Sequence, residues 1–271
     1  MVVSRMDEAS RRESVHGRVK ARGAASVRDL AGEFGVSAVT MRRDLAELER
    51  RGLLQRVHGG AIRTASHDEG SFSYRLTDAV EAKQDIARRA ARLVHNRDAI
   101  CLDSSSTAYY LATELLQLRG LFVVTNSIPT ATLFLEQSNA TIYLTGGVLR
   151  RASRATITVS VHAGFTGTVD KGFFGLNGIS AETGLSEISL EEAESKRELA
   201  TFCRHIYVLV DAAKFGAFGL HSWLPPDRIT GLFTDAETSA AALAPWRKTG
   251  TRVDTGRPTR GGIEVMPPSE A

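Results

Sequence analysis

Apolar residues recur with a helical period in the N-terminal quarter of the chain. Met41, Leu45 and Leu48 fall on one face of a predicted helix, because residues three and four apart share a helix face. Ser37 precedes this helix and can cap it, since its hydroxyl can accept a hydrogen bond from a free N–H of the first turn. Gly52 predicts the end of the helix. The apolar stripe predicts that this face is buried.

Two further helices are predicted upstream. Ser26 can cap a short helix, Leu30 and Phe34 supply its buried stripe, and Gly35 ends it. A weaker apolar pattern over 10–22 predicts a first helix of marginal stability. Three helices in this order, with a glycine-containing turn before the last one, are typical of a helix-turn-helix unit.

A hairpin is predicted directly after the third helix. Its strands cover 53–57 and 61–64, and Gly59-Gly60 can adopt the positive φ that a tight turn requires. The whole pattern predicts a winged helix-turn-helix, in which the start of the last helix enters the DNA major groove. The predicted DNA-binding residues are the cap, the exposed face of the helix and two residues of the wing: Ser37, Thr40, Arg42, Arg43, Arg56 and His58. The alternative is an amphipathic surface helix with a solvated basic face.

The pattern changes to an alternation of apolar strands and helices after residue 80. Predicted strands cover 99–103, 121–125, 141–145, 171–176, 205–211 and 229–234, and predicted helices cover 81–95, 106–118, 128–137, 157–167 and 190–203. Continuous apolar strands between helices predict a mostly parallel sheet covered on both faces. The fold class is therefore α/β, with an N-terminal winged helix-turn-helix and a C-terminal Rossmann-like domain.

Segments of low apolar periodicity set the domain limits. The polar stretch 66–80 predicts a linker. We expect a DNA-binding domain at 10–65 and an α/β domain at 81–254, with a possible edge strand at 251–254. The last thirty or so residues lose the pattern, and the tail 255–271 is predicted to be disordered.

Charge separates the two parts of the chain. Residues 1–65 hold 13 Lys/Arg against 8 Asp/Glu, although the whole chain carries a net charge of only +3. A basic N-terminal domain suits binding to phosphates of DNA. The two cysteines, Cys101 and Cys203, lie in apolar stretches and are expected to be small buried hydrophobes rather than a redox pair. No apolar run is long enough to span a membrane, no His spacing indicates a metal, no cofactor is expected, and a cytoplasmic protein is predicted.

Polar residues follow the predicted strands of the α/β domain. Ser104, Ser105, Ser106 and Thr107 open a helix after 99–103, where hydroxyls and free N–H groups suit a phosphate. The other strand ends are followed by Asn126, by Gly146-Gly147, by Asn177-Gly178 and by Lys214. Ligands bind beyond the carboxyl ends of the strands in open α/β sheets, so these residues predict a shared binding site. Each of them alone is more often an ordinary cap, turn or solvated charge, and their shared position after successive strands favours a site.

The motifs together resemble one family. The run VSAVTMRRDLAELERRGLLQRVHGGA resembles the N-terminal signature of DeoR-type bacterial transcription regulators, and the pieces LDSSST, VTNS, LTGG, FFGLNGIS, EEAESKR and VDAAKFG resemble their effector domain. The resemblance covers 10 to about 235. It implies an effector domain similar in fold to ribose-5-phosphate isomerase and glucosamine-6-phosphate deaminase.

This resemblance also implies roles for residues. Ser104, Ser105, Ser106 and Thr107 would hold the phosphate of a phosphorylated sugar. Its hydroxyls and anomeric end would be surrounded by Asp103, Asn126, Asn177, Glu192, Lys196 and Lys214. The chain departs from the family pattern at Ser105-Ser106 and over 157–165, which leaves the identity of the sugar open.

Three functions follow as hypotheses. The first is a DNA-binding regulator, a repressor of a carbohydrate-use operon, that responds to a phosphorylated sugar and binds operator DNA as a homodimer or homotetramer. The second is a sugar-phosphate isomerase or deaminase with a fused DNA-binding head, in which Asp103 or Glu192 would be the base. The third is a DNA-binding protein whose α/β part only oligomerises.

Overall fold

The computed structural model describes residues 7–22, 24–51, 53–57, 59–62, 71–157, 167–217 and 219–256. The chain divides into two compact units, Met1–Tyr74 and Arg75–Ala271. The predictions for His58, for most of the helix over 157–167 and for nearly all of the tail lie outside the described residues.

The first unit combines three helices with a small antiparallel sheet. Its elements are α1 (Glu8–Arg22), β1 (Ala24–Ser26), α2 (Val27–Glu33), α3 (Ala38–Arg50), β2 (Gln55–Val57) and β3 (Gly60–Ile62), and the strand order is β1-β3-β2. Ser26 and Ser37 cap α2 and α3 as predicted. Gly59 has φ +83° in the turn of the hairpin, a conformation that L side chains adopt only at a cost. The winged helix-turn-helix is confirmed.

The core of the first unit explains why α1 forms despite its weak pattern. Val15 and Val19 are fully buried, and they pack with Leu30, Met41 and Leu45. Tertiary packing of an apolar face supplies most of the stability of a helix in a folded protein. The helix therefore draws its stability from its neighbours, as the marginal pattern led us to expect.

The second unit is built on a parallel sheet of seven strands in the order β15-β14-β12-β9-β4-β5-β6. Its strands are β4 (Ala99–Leu102), β5 (Phe122–Thr125), β6 (Thr141–Leu144), β9 (Val169–Phe174), β12 (Cys203–Leu209), β14 (Gly231–Phe233) and β15 (Arg252–Asp254). The helices are α5 (Val80–Ala91), α6 (Ser106–Glu114), α7 (Ile128–Gln137), α8 (Leu190–Thr201) and α9 (Ala240–Lys248). The predicted α/β class is confirmed, and β15 is the expected edge strand.

Two apolar cores cover the faces of this sheet. On one face Ile86, Leu111 and Phe134 of α5, α6 and α7 pack on the strands. On the other face Leu199 of α8 and Trp246 of α9 belong to the second core. Cys101 and Cys203 are buried and free, as expected. A hydrogen bond with Cys203 and burial raise the pKa of the Cys101 thiol, which makes it a poor nucleophile.

The structure corrects the sequence prediction in four places. Ile157, the first residue of the predicted helix over 157–167, is instead the last residue of β8 (Ala155–Ile157), which pairs with β7 (Val148–Arg150) as a two-stranded ribbon. A small antiparallel sheet of β10 (Gly178–Ser180), β11 (Gly184–Glu187) and β13 (His221–Leu224) was not predicted. Helix α9 lies in the C-terminal stretch where the sequence showed no apolar periodicity. Short elements such as these give too few periods for a sequence pattern to register.

The fourth difference concerns the predicted linker. Within it the structure has a short helix, α4 (Phe72–Thr77), which spans the boundary between the two units. Phe72 is buried. The apolar side chains of this stretch are too few to show a helical stripe in the sequence.

Candidate functional site

The exposed start of α3 carries the predicted DNA-binding side chains. Arg42 and Arg43 are exposed and Thr40 is half-buried. Within the described residues neither arginine has a carboxylate partner. Ser37 Oγ accepts a hydrogen bond from Thr40 N at 3.1 Å and lies 2.9 Å from Thr40 Oγ1. Ser37 is therefore engaged as a cap that orients this end of the helix, and two free guanidinium groups stand beside it.

Asp44, the next residue after the arginine pair, faces the opposite way. Its side chain is 1% exposed and accepts hydrogen bonds from Arg11 Nε at 2.7 Å and Arg12 Nε at 2.9 Å. The hydrogen bond to Asp44 raises the pKa of Arg11. This carboxylate joins α1 to α3 and was not among the predicted functional residues. The only indication in the sequence that Asp44 faces inward is that it follows two exposed positions of the same helix.

The end of α3 is tied to the wing. Glu49 Oε1 accepts a hydrogen bond from the Arg56 backbone N–H at 2.8 Å, and the Arg56 guanidinium lies 3.7 Å from the same carboxylate. The Arg56 side chain is exposed. All three predicted arginines of the first unit are thus exposed to solvent, two at the start of α3 and one on β2.

In the second unit, Asp103 lies at the carboxyl end of β4 and is fully buried. Its Oδ1 accepts a hydrogen bond from Ser105 N at 3.0 Å, and its Oδ2 accepts one from Gly175 N at 3.0 Å. Lys196 Nζ lies 3.1 Å from the same Oδ2. The carboxylate therefore joins the ends of β4 and β9 to α8.

Lys196 links Asp103 to a second buried carboxylate. Its Nζ donates to Gly175 O at 2.9 Å and to Glu187 Oε1, and it lies 5.9 Å from the centre of the Trp223 ring. Glu187 Oε2 in turn accepts a hydrogen bond from Asn177 Nδ2 at 2.7 Å. Sequence reasoning missed Glu187 because it lies in the small sheet that the pattern did not predict.

The side-chain amide of Asn126 differs in hydrogen bonding at its two ends, Nδ2 and Oδ1. Its Nδ2 donates to Thr156 O and to Ser195 Oγ, both at 3.3 Å. Its Oδ1 is buried and has no hydrogen-bond partner among the described residues. A carbonyl oxygen of a backbone can only accept, so the contact with Thr156 O fixes which end of the amide is the donor. The buried Oδ1 is therefore an acceptor that lacks a donor.

Glu192 is held by a residue that the sequence analysis did not select. Arg150 Nη1 of the β7–β8 ribbon donates to Glu192 Oε1 at 2.7 Å. Glu192, Ser195 and Lys196 lie three and four residues apart on α8, so they share one helix face. Several buried polar side chains lie on or near this face. We call six of them the buried polar cluster: Asp103, Asn126, Asn177, Glu187, Glu192 and Lys196.

The predicted phosphate loop lies next to this cluster. Ser105 caps α6 by accepting a hydrogen bond from Ala108 N at 3.1 Å, and the side chains of Ser104, Ser106 and Thr107 are buried. A Cβ on Gly175 would lie 2.4 Å from Ser105 Cβ. The carboxyl end of β9 can therefore approach this loop closely only because residue 175 is a glycine.

The other predicted residues lie apart from the cluster or have another role. Gly146 and Gly147 form an exposed turn between β6 and β7. Lys214 follows β12 in a short 3-10 turn, and within the described residues it makes no hydrogen bond or ion pair with the cluster. Gly178 is required by packing, since a Cβ there would lie 2.3 Å from Ala217 O.

Neither a group of metal ligands nor a membrane-spanning helix is present in the described part of the chain. No group of three or more His, Cys, Asp and Glu side chains in it could hold a metal ion. No described helix has the length and apolar character needed to span a bilayer.

Two family models match this chain. The DeoR-like helix-turn-helix domain matches residues 11–67, and the DeoR C terminal sensor domain matches residues 78–236. A solved structure, ribose 5-phosphate isomerase A from Methanocaldococcus jannaschii, aligns over 50% of this chain and 54% of that chain with 19% identity and a TM-score of 0.38. A likeness that weak says nothing about activity.

Three curated relatives extend the match over most of the chain. The HTH-type transcriptional regulator GolR of Listeria innocua is 33% identical over 84% of this chain and 91% of its own length. The putative aga operon transcriptional repressor of Escherichia coli O157:H7 is 30% identical over 90% and 93%, and the glycerol-3-phosphate regulon repressor of Escherichia coli K12 is 30% identical over 88% and 95%. All three are named as regulators and none as an enzyme. With a winged helix that presents two exposed arginines and a sensor-domain match over the α/β unit, the chain belongs to the DeoR family of DNA-binding transcription regulators.

Proposed function

We propose that this regulator is a repressor of a carbohydrate-use operon and that a phosphorylated sugar, bound at the buried polar cluster, changes its affinity for operator DNA. The observation that carries the proposal is the convergence of Asp103, Asn126 and Asn177 at the carboxyl ends of three neighbouring strands, β4, β5 and β9. Ligands bind at this edge in open α/β sheets. The names of two relatives, repressors of an aga operon and of a glycerol-3-phosphate regulon, support a ligand of this class.

The phosphate would bind at the start of α6. The first N–H groups of a helix have no partners within it, and the helix dipole places partial positive charge there. Ser104, Ser106 and Thr107 add hydroxyl groups to the same loop. This part of the proposal carries over the residues selected from the sequence, and Lys214 and Gly146-Gly147 stay predictions for the outer part of the site.

The hydroxyl groups of the sugar would bind at the cluster. No described residue donates to Asn126 Oδ1, and a sugar hydroxyl is a donor of suitable size. An unsatisfied buried acceptor costs about 1–3 kcal/mol, so a ligand that supplies the missing hydrogen bond gains affinity from it. Glu192 and Lys196 are already engaged by Arg150 and by Asp103, which favours binding over proton abstraction.

The regulator should act as a homodimer or homotetramer. A palindromic operator needs two DNA-binding heads. At the β6 edge of the sheet, four large apolar side chains are exposed: Leu135, Leu144, Val148 and Leu149. Exposed apolar side chains next to the edge strand of a sheet mark interaction surfaces. We propose that a second copy of the chain covers this patch and that the protein works in the cytoplasm. We also propose that the domains are 10–65 and 81–254, joined by the segment 66–80 that contains α4.

A ligand screen followed by DNA titration tests the proposal. We expect one or more sugar phosphates from a panel to raise the melting temperature of the full-length protein and to change its affinity for its operator. Ser105→Ala should weaken this ligand response. The matched control Ser239→Ala removes the equivalent cap hydroxyl of α9 and should leave the response intact.

Two results would contradict the proposal. If no sugar phosphate of the panel raised the melting temperature while DNA binding remained intact, the α/β unit would only oligomerise. Sustained turnover of ribose 5-phosphate or glucosamine 6-phosphate that vanishes in Glu192→Gln would indicate an enzyme instead.

A further inference from the structure

The junction between α4 and α5 is held in an unfavourable backbone conformation. Ala79, the residue before α5, has φ 49° and ψ 42°, in the left-handed region. A residue with a Cβ enters this region only at a cost in energy. Contacts from outside the junction must therefore fix its geometry.

Lys83 supplies the first of these contacts. It is 5% exposed, and its Nζ donates to Arg75 O and to Asp78 O, each at 2.6 Å. These carbonyls lie at the end of α4, where backbone acceptors have no partner within the helix. A buried ammonium group thus fastens the end of α4 to the first turn of α5.

Tyr110 supplies the second contact. Its hydroxyl donates to Leu76 O at 2.7 Å, between the two carbonyls that Lys83 binds. Tyr110 lies in α6, about one turn after Ser106, where the helix begins. The helix that starts at the proposed phosphate loop therefore also binds the end of α4.

Lys83 is also affected by the charges of residues that follow β12. Burial lowers its pKa, the charges of Asp78 and Asp211 raise it, and those of Lys214 and Arg75 lower it. Asp211 and Lys214 follow β12 at the carboxyl edge of the sheet. An anion that neutralised Lys214 would reduce the repulsion that Lys83 experiences and strengthen its hold on the carbonyls.

We propose that Tyr110 and Lys83 are positioning residues that couple occupation of the effector site to the α4–α5 junction, and so to the segment that leads to the DNA-binding unit. This inference rests on the proposed function, because it needs an anion at the start of α6. It assigns transmission to two side chains that were selected neither by the sequence nor by the family resemblance. Both contacts lie wholly within the second unit.

Hydrogen exchange of the full-length protein tests the inference, with inorganic phosphate as the probe and chloride at equal ionic strength as the reference. In the wild type, phosphate should slow exchange in a peptide over 105–110 and, through Tyr110 and Lys83, in a peptide over 76–84. In Tyr110→Phe and in Lys83→Met the first protection should remain and most of the second should be lost. Tyr110→Phe removes one oxygen atom and keeps the ring, so the result does not depend on whether Lys83→Met folds.

A control variant and three outcomes make the test decisive. Tyr207→Phe removes a tyrosine hydroxyl from β12, near Lys171, Asp170 and Arg252, and should leave both protections unchanged. Protection of 76–84 that persists in both variants, or is absent in the wild type while 105–110 is protected, would overturn the inference and leave the proposed site standing. No protection of 105–110 in the wild type would overturn both the phosphate site and the inference.

Discussion

Lys196 Nζ lies 3.1 Å from Asp103 Oδ2, and both side chains are buried. The same ammonium group also binds Glu187, so one positive charge compensates two buried carboxylates. Removing one partner of a buried ion pair leaves the other charge without compensation, which is far more costly than the net stability of the pair. Removing a charged side chain from the cluster that we propose as the ligand site should therefore also destabilise the fold.

Lys196→Met should lower the free energy of unfolding by about 3–5 kcal/mol, because Asp103 and Glu187 lose their common partner. Urea denaturation of the second unit measures this loss. Adding Glu187→Gln to Lys196→Met should restore part of it, since one uncompensated charge is removed. Equal unfolding free energies for Lys196→Met and the wild type would show that the buried ion pairs contribute little.

Arg42→Ala or Arg43→Ala should weaken operator binding by about 1–3 kcal/mol if the side chain contacts a guanine edge, and should relax the sequence preference. Titration of the operator and of scrambled DNA at one salt concentration separates the two effects. Arg50→Ala is the control, because Arg50 is exposed but already paired with Glu47. A uniform loss over all sequences would identify a phosphate contact instead of base recognition.

Asp44→Asn should destabilise the first unit by about 1–3 kcal/mol, since Arg11 and Arg12 lose a charged acceptor that joins α1 to α3. Thermal unfolding followed by circular dichroism measures the change. Glu13→Gln alters an exposed carboxylate of α1 and should have little effect. If Asp44→Asn were as stable as the wild type, packing of Val15 and Val19 alone would hold α1 in place.

Stability should depend on Glu47 at acid pH. Hydrogen bonds from Arg50 and Arg51 lower its pKa from 4.5 to about 2. Because the folded-state pKa is depressed, the stabilisation is complete above the unfolded-state value and is lost as the pH falls from about 4.5 through about 2. The difference in stability between wild type and Glu47→Gln should therefore shrink over that interval in a series of urea titrations. A difference that stays constant with pH would contradict this assignment.

Leu149→Asp should shift the protein toward monomer if a second copy covers the apolar patch at β6, because a buried unpaired charge opposes association. Light scattering after size exclusion gives the mass directly. Leu220→Asp is the control, since Leu220 is also an exposed leucine but lies outside the patch. An unchanged mass for Leu149→Asp would place the interface elsewhere.

Much of the fold was predictable because its signals are local. The caps at Ser26 and Ser37, the stripe of α3 and the alternation of apolar strands with helices depend on residues that are near each other in the sequence. The polar residues after successive strands were predictable for a similar reason. The parallel arrangement of the sheet brings the strand ends to one edge whatever their separation along the chain.

The partners of those residues depend on the tertiary structure. Asn126 contacts Ser195, 69 residues further along the chain, and Glu192 contacts Arg150 in a ribbon that the pattern did not predict. Glu187 enters the cluster only through the pairing of β11 with β10 and β13.

The sequence by itself determined a DNA-binding winged helix, an α/β domain and the edge of the sheet where a ligand would bind, because caps and periodicity act over a few residues. Only the tertiary structure decided that Asp44 faces inward to Arg11, that Lys196 is shared by two carboxylates, and that Tyr110 and Lys83 hold the end of α4. Such contacts join elements that are distant in the chain, and a buried charge selects its partner from whatever the packed fold brings within hydrogen-bond distance.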